Sequence, residues 1–157
     1  MAFYLRGILA KTDITTEICS DYPNIRSIVL QDDIYFIPIT DEIYDQIDLS
    51  SSEMTGPCSL GETFTQYLIT KSENAKVAYI EAKYWGGIGG QAGCIWYGGE
   101  LVYELVYEDN MEAINNVLSL MGIHAETGKD EFDTVGLGRH RHIEDWLKEI
   151  DPDQIIE

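Results

Sequence analysis

Two adjacent glycines, Gly98 and Gly99, separate the apolar run Ala92 to Tyr97 from the run Leu101 to Tyr107. A two-residue type I′ hairpin needs positive φ at both central positions, and glycine adopts positive φ at little steric cost. The aromatic and β-branched residues on either side suit a pleated, half-buried surface. The pair therefore predicts an antiparallel hairpin, and it commits this part of the chain to a sheet joined by a tight turn.

The rest of the pattern mixes strands and helices. Phe3 to Leu9 predicts a strand, and Ile14, Ile18 and Tyr22 recur at helical spacing until Pro23 stops the helix. Arg26 to Leu30 and Ile34 to Ile39 predict a second hairpin through Gln31, Asp32 and Asp33, with Pro38 marking a strand end or an edge. Thr40 or Asp41 can cap a helix running through Ile43, Tyr44 and Ile47. After the loop LSSSEMTGPC at 49–58, Ser59 and Glu62 have capping-box spacing ahead of a helix over 60–70. Lys76 to Trp85 alternates in part and predicts a strand. Asn110 caps a helix whose stripe is Met111, Ile114, Leu118 and Met121, ended by Gly122 at C′. A polar, glycine-punctuated segment covers 125–141, and Ile143 to Ile150 predicts a terminal helix burying Trp146 and Leu147. The expected architecture is one α+β domain over residues 1–157, a largely antiparallel sheet with packed helices.

Composition narrows the function classes. With 45 % apolar and 24 % charged residues the 157-residue chain can bury one sizeable core and is not of disordered composition. No run approaches the roughly 18 apolar residues of a membrane span. The N-terminal MAFYLRGILAKTD lacks the pattern of a signal peptide. Cys19, Cys58 and Cys94 are odd in number and widely spaced, which fits thiols in a reducing cytoplasm better than a disulfide framework or zinc site. The least ordinary feature is charge. Against 28 acidic side chains stand 10 basic ones, for a net −18 and a pI near 4.2. Residues 1–75 carry 12 acidic and 4 basic groups and residues 76–157 carry 16 and 6, so the field is spread over both halves. Bare nucleic acid is repelled by such a surface, whereas a basic protein partner is attracted.

Candidate site residues fall in two stretches. GGIGGQAG at 86–93 loosely matches a dinucleotide pattern through Gly87, Gly89 and Ala92. A phosphate cradle must lead into a helix N-terminus, and here a hairpin follows, so the stretch reads as a loop or bulge between strands. As a partner-binding loop it would be flanked by Trp85 and Gln91. In DEFDTVGLGRHRH, His140 and His142 could share a metal with Asp130, Glu131, Asp133, Glu144 or Asp145, but the spacing matches no fixed ligand set, so neither a metal nor a cofactor is expected. Arg139 and Arg141 form the one compact basic spot and are expected to pair with the DEFD carboxylates. Cys94 with His124 is the nucleophile pair to examine, although Cys94 lies in an apolar strand. No Gly-x-Ser-x-Gly elbow is present.

YWGGIGGQAGCIW at 84–96 and DEFDTVGLGRHRHIEDW at 130–146 resemble an uncharacterised bacterial family carrying YxGGxGxQ-like and DEFDxxGLGR-like stretches. The resemblance covers the C-terminal half, implies a bacterial source and assigns no activity. In size and acidity the chain is similar in type to immunity proteins that neutralise polymorphic toxins. Three functions follow as expectations. The first is a binding protein for a basic partner such as a toxin domain, with Trp85, Gln91, Asp130, Glu131, Asp133, Arg139, His140 and Arg141 in the contact. The second is a small hydrolase with a His/carboxylate site near 130–145. The third is a homo-oligomer joined through an aromatic patch of Tyr84, Trp85, Trp96 and Tyr97.

Overall fold

The computed structural model describes residues 2–47, 62–85, 88–108 and 112–150. In chain order the elements are β1 (Ala2–Lys11), α1 (Thr12–Asp21), β2 (Ile28–Gln31), β3 (Ile34–Pro38), α2 (Asp41–Ile47), α3 (Glu62–Lys71), β4 (Val77–Trp85), β5 (Ile88–Tyr97), β6 (Glu100–Glu108), α4 (Ala113–Leu120), α5 (Glu131–Thr134) and α6 (Asp145–Ile150). The strands form one sheet in the order β2-β3-β1-β4-β5-β6, antiparallel at every step. The expected α+β class and antiparallel sheet are what the chain adopts.

Helices cover both faces of this sheet. On one face Leu5, Leu9, Phe36, Ile80 and Ile95 pack against Ile114, Val117 and Leu118 of α4 and against Trp146 of α6. On the other, Ile8, Ile37, Tyr79 and Trp96 pack against Ile14 and Ile18 of α1, Ile43 of α2 and Phe64 and Leu68 of α3. A strand covered on both sides has no polar face to show, which is why Leu5 to Ala10 and Val77 to Ala82 are buried without interruption. The partial alternation of residues 76–85 therefore does not mark a solvated face. Arg6, Glu81 and Gln91 are the polar side chains of the central strands that this burial encloses.

The hairpin forms as expected. Gly98 and Gly99 have φ of 66° and 78°, and their amides donate to the Ser72 carbonyl at 2.7 Å and to Ser72 Oγ at 3.3 Å. Thr40 caps α2, its Oγ1 accepting from the Ile43 amide at 3.2 Å. α4 ends in a Schellman motif at Gly122, with Ile123 N donating to Leu118 O and Gly122 N to Ser119 O. α4 begins at Ala113 with Glu112 as N-cap. The expected caps at Asn110 and Ser59 lie outside the described residues.

Two expectations need correction. Most of the glycine stretch is strand, not a connecting loop: β5 starts at Ile88, with Gly89 and Gly90 paired to Tyr84 and Lys83. Strand residues without side chains are needed here because neighbours come too close. A Cβ on Gly89 would lie 1.9 Å from the Lys83 carbonyl oxygen, and one on Gly93 would lie 2.7 Å from Val117 of the overlying α4. The terminal helix is shorter than expected, starting at Asp145, and Leu147 is only half-buried while Trp146 is fully buried.

Candidate functional site

The two stretches singled out by sequence converge at one end of the sheet. Phe3, near the start of β1, touches the rings of both Tyr84 and Phe132, at 6.5 and 6.2 Å between centroids. Buried Gln91 accepts from the Ile114 amide at 3.1 Å, so it holds the first turn of α4. The next residue, Asn115, receives the Phe132 amide at 2.8 Å and donates to Asp130 at 3.1 Å. Asp130 also caps α5 through the Asp133 amide. Gln91 and Asp130, expected to meet a partner, are thus hydrogen-bonded within the fold. Asp133 and Arg141 are exposed and Glu131 is half-buried. The Arg141 carbonyl takes the Tyr4 amide at 2.8 Å. For Trp85 the described feature is its place at the end of β4, opposite Ile88.

Arg139 does pair internally, but with Glu149 of α6 and not with the DEFD carboxylates. Its Nε and Nη2 donate to the two carboxylate oxygens at 3.0 and 2.7 Å, a bidentate fork, while Nη1 donates to the Val135 and Gly136 carbonyls. Its guanidinium lies 4.5 Å from the centre of the Trp146 ring, and His140 Nε2 contacts the same Glu149. Gly136, at a φ of 71°, leaves room for this by lacking a side chain, since a Cβ there would sit 2.7 Å from Arg139 Nη1. Arginine, first, and histidine hold the Glu149 carboxyl below its ordinary range against the opposing effect of burial. A carboxyl with a lowered folded pKa contributes stability above its unfolded value of about 4.3, and that stability is lost as pH falls through the folded value. The stability contributed by this carboxyl should therefore be present above about pH 4.3 and lost only at lower pH, and Glu149→Gln should remove that part of the acid sensitivity in urea unfolding followed across the acid range. A variant that loses stability with acid as the wild type does would mean that the Arg139–Glu149 pair carries none of it.

Other expected constellations do not assemble. Cys94 is buried under α1 and α3, whereas His124 is exposed and its backbone is held by Gln31 on the far edge strand. Trp96 is buried, Tyr84 is half-buried at the opposite end of β4 and β5, and Tyr97 is exposed, so these three rings do not form one patch, and the Trp85 side chain lies outside the described residues. Among the described residues, no group of three His, Cys, Asp or Glu side chains is placed to hold a metal, and no helix is long and apolar enough to cross a membrane.

Three features were not found by sequence reasoning. The first is a buried polar cluster on β1 and β4, where Arg6 stands opposite Glu81 in the strand register. Arg6 donates to the Ile39 carbonyl at 3.1 Å and to Asp41 at 2.9 Å, and its guanidinium lies 4.2 Å from the Tyr44 ring. Tyr79 donates to Glu81 at 3.1 Å, and burial, partly offset by Arg6, pushes the Tyr4 hydroxyl up to about 12. The second is a groove of about 710 Å³ at the other end of the sheet, between α1, the turn before β4 and the end of α4. Its wall carries Lys11 and Lys76 as well as Asp13 and Glu17, so the lining selects no single charge. The third is the outer edge of β6. Leu101 and Val102 are exposed large apolar side chains on it, and exposed Tyr97 ends the neighbouring β5. Glu100 and Glu104 are also exposed on β6.

Comparison of the chain with protein-family models, with curated proteins and with solved structures finds no match.

Proposed function

We propose that this chain is an acidic protein-binding module, acting in the cytoplasm, that covers a basic partner as an immunity protein covers a toxin domain. The observation that carries the reading is the pairing of a −18 charge with the apolar cluster at β6, the combination of steering field and dry contact that an interface uses. Complementary potentials raise association from about 10⁵–10⁶ to as much as about 10⁸–10⁹ M⁻¹s⁻¹ at low salt. A strongly negative surface of this kind can occupy a site built for phosphates. The alternative, a hydrolase with a His/carboxylate site near 130–145, has less support, because His140 and Arg139 are both engaged by Glu149.

Affinity capture from the source cell, followed by association kinetics at two salt concentrations, tests the proposal. The expected result is a basic partner whose association rate falls as screening shortens to about 8 Å at physiological ionic strength. Charge reversal at Glu100 and Glu104 should slow association more than reversal at Asp130, whose carboxylate is occupied in capping α5. A partner that is not basic, or an association rate indifferent to salt, would leave the acidity as a solubility feature and remove the reading.

A further inference from the structure

We infer that the basic partner docks as an extended segment that adds a strand to the outer edge of β6. The inference rests on the basic-partner reading and specifies its geometry.

β6 is hydrogen-bonded on one side alone among the described residues, to β5. Its nine residues span about 30 Å. Edge strands of this length are ordinarily blunted by charged side chains, proline, bulges or brevity, and here the sign of the charge decides what is kept away. At the other edge, β2 is four residues long. β6 reads ELVYELVYE and contains neither lysine nor proline. What it carries instead is glutamate at every fourth position.

That spacing disfavours one occupant in the registers that pair glutamate with glutamate and favours another. If a second copy paired antiparallel about Glu104, Glu104 would oppose itself and Glu100 would oppose Glu108. A shift placing Glu100 opposite Glu104 is no better. Like charges directly across a strand pair are destabilising, and the −18 of each copy adds to the repulsion. A lysine- or arginine-bearing strand meets the same glutamates as opposite-charge pairs. The register supplies an apolar anchor between them. Ile95 opposes Tyr103 and Trp96 opposes Leu101, so Val102 is an extra residue at a bulge, more than half exposed between Glu100 and Glu104. Because of that bulge Glu104 and Leu101 share a face with Cys94 and Trp96, while Glu100 shares the other with Tyr97. An incoming segment with a basic residue on each face and β-branched residues between them would place its charges on the glutamates and an aliphatic side chain against Leu101 and Val102. Main-chain hydrogen bonds would give such a complex its affinity and the side chains its selectivity.

The probe is a short capped peptide with Lys-Val-Val-Lys spacing, which puts lysine on both faces of a strand, titrated against the full chain while amide hydrogen exchange is followed. Slowed exchange within residues 100–108 is expected. The same peptide with every amide N-methylated keeps its charge, cannot donate to a ladder, and should not protect them. A version with glutamate for lysine should not bind. The Glu100→Lys, Glu104→Lys double variant, altered at two exposed positions, should weaken the lysine peptide at least about tenfold while retaining the circular dichroism of the wild type. If the lysine peptide binds the acidic surface but protects no β6 amide, or if its N-methylated form binds equally well, the edge is not the site, although the basic-partner reading stands. If β6 amides are already protected in the free chain and sedimentation shows a dimer, a second copy is the occupant and the inference is overturned. If no lysine peptide binds and affinity capture also yields no basic partner, both fall.

Discussion

Trp146→Ala should destabilise the protein by about 3–5 kcal/mol, a large share of the roughly 5–15 kcal/mol that holds a domain of this kind together. Trp146 is fully buried, with its ring edge-on to Phe36 at 5.1 Å and to His140 at 4.9 Å, and with the Arg139 guanidinium over one face. α6 spans six residues, too few to be stable as an isolated helix, so its position depends on what it buries. Removing the indole takes away apolar burial, the cation's ring and the packing beneath the Arg139–Glu149 pair together. Trp146→Phe should cost much less. It keeps a ring against Phe36 and deletes an indole N–H that has no hydrogen-bond partner among the described residues. Urea unfolding monitored by circular dichroism measures both. A loss below about 1 kcal/mol for the alanine variant would mean that α6 does not close this side of the core.

Local chemistry made part of the fold legible in the sequence. The Gly98–Gly99 turn and the Gly122 terminus of α4 are decided by positive φ, which few residues adopt, and β3 ends at Pro38, which has no N–H to continue a ladder, so the chain alone reveals them. What could not be read depended on neighbours distant in sequence. Gly89 and Gly93 resemble loop residues, yet they are strand residues emptied of side chains because Lys83 and Val117 come close. Arg139 lies near DEFD in sequence, but its carboxylate is ten residues further on, brought back by the turn before α6. The β6 edge was invisible for a stricter reason. Strand order is a property of the whole sheet, and the hairpin alone does not say which of its strands lies outermost.

Arg6→Met should likewise cost about 3–5 kcal/mol, and adding Glu81→Gln should return a substantial part of that loss. The reason lies in where the register puts the two charges. Both are almost completely buried, on the two central strands, directly opposite one another. Methionine keeps most of arginine's volume, so the substitution tests the cation more than the packing. The Asp41 end of the interaction contributes little, since that carboxylate is largely exposed and screened by water. The main loss is the cation opposite a buried carboxylate, a charge that water can no longer reach cheaply. Glutamine at 81 removes that charge and keeps an oxygen for the Tyr79 hydroxyl. Glu81→Gln alone, with Arg6 present, should be destabilising, because it removes the buried negative charge opposite the guanidinium and leaves it only the exposed Asp41. The double-mutant cycle should thus show a coupling of about 1–3 kcal/mol, measured by chemical denaturation of all four proteins. Strict additivity would mean that Arg6 acts through the Ile39 carbonyl and the Tyr44 ring, and that Glu81 is stabilised independently of it.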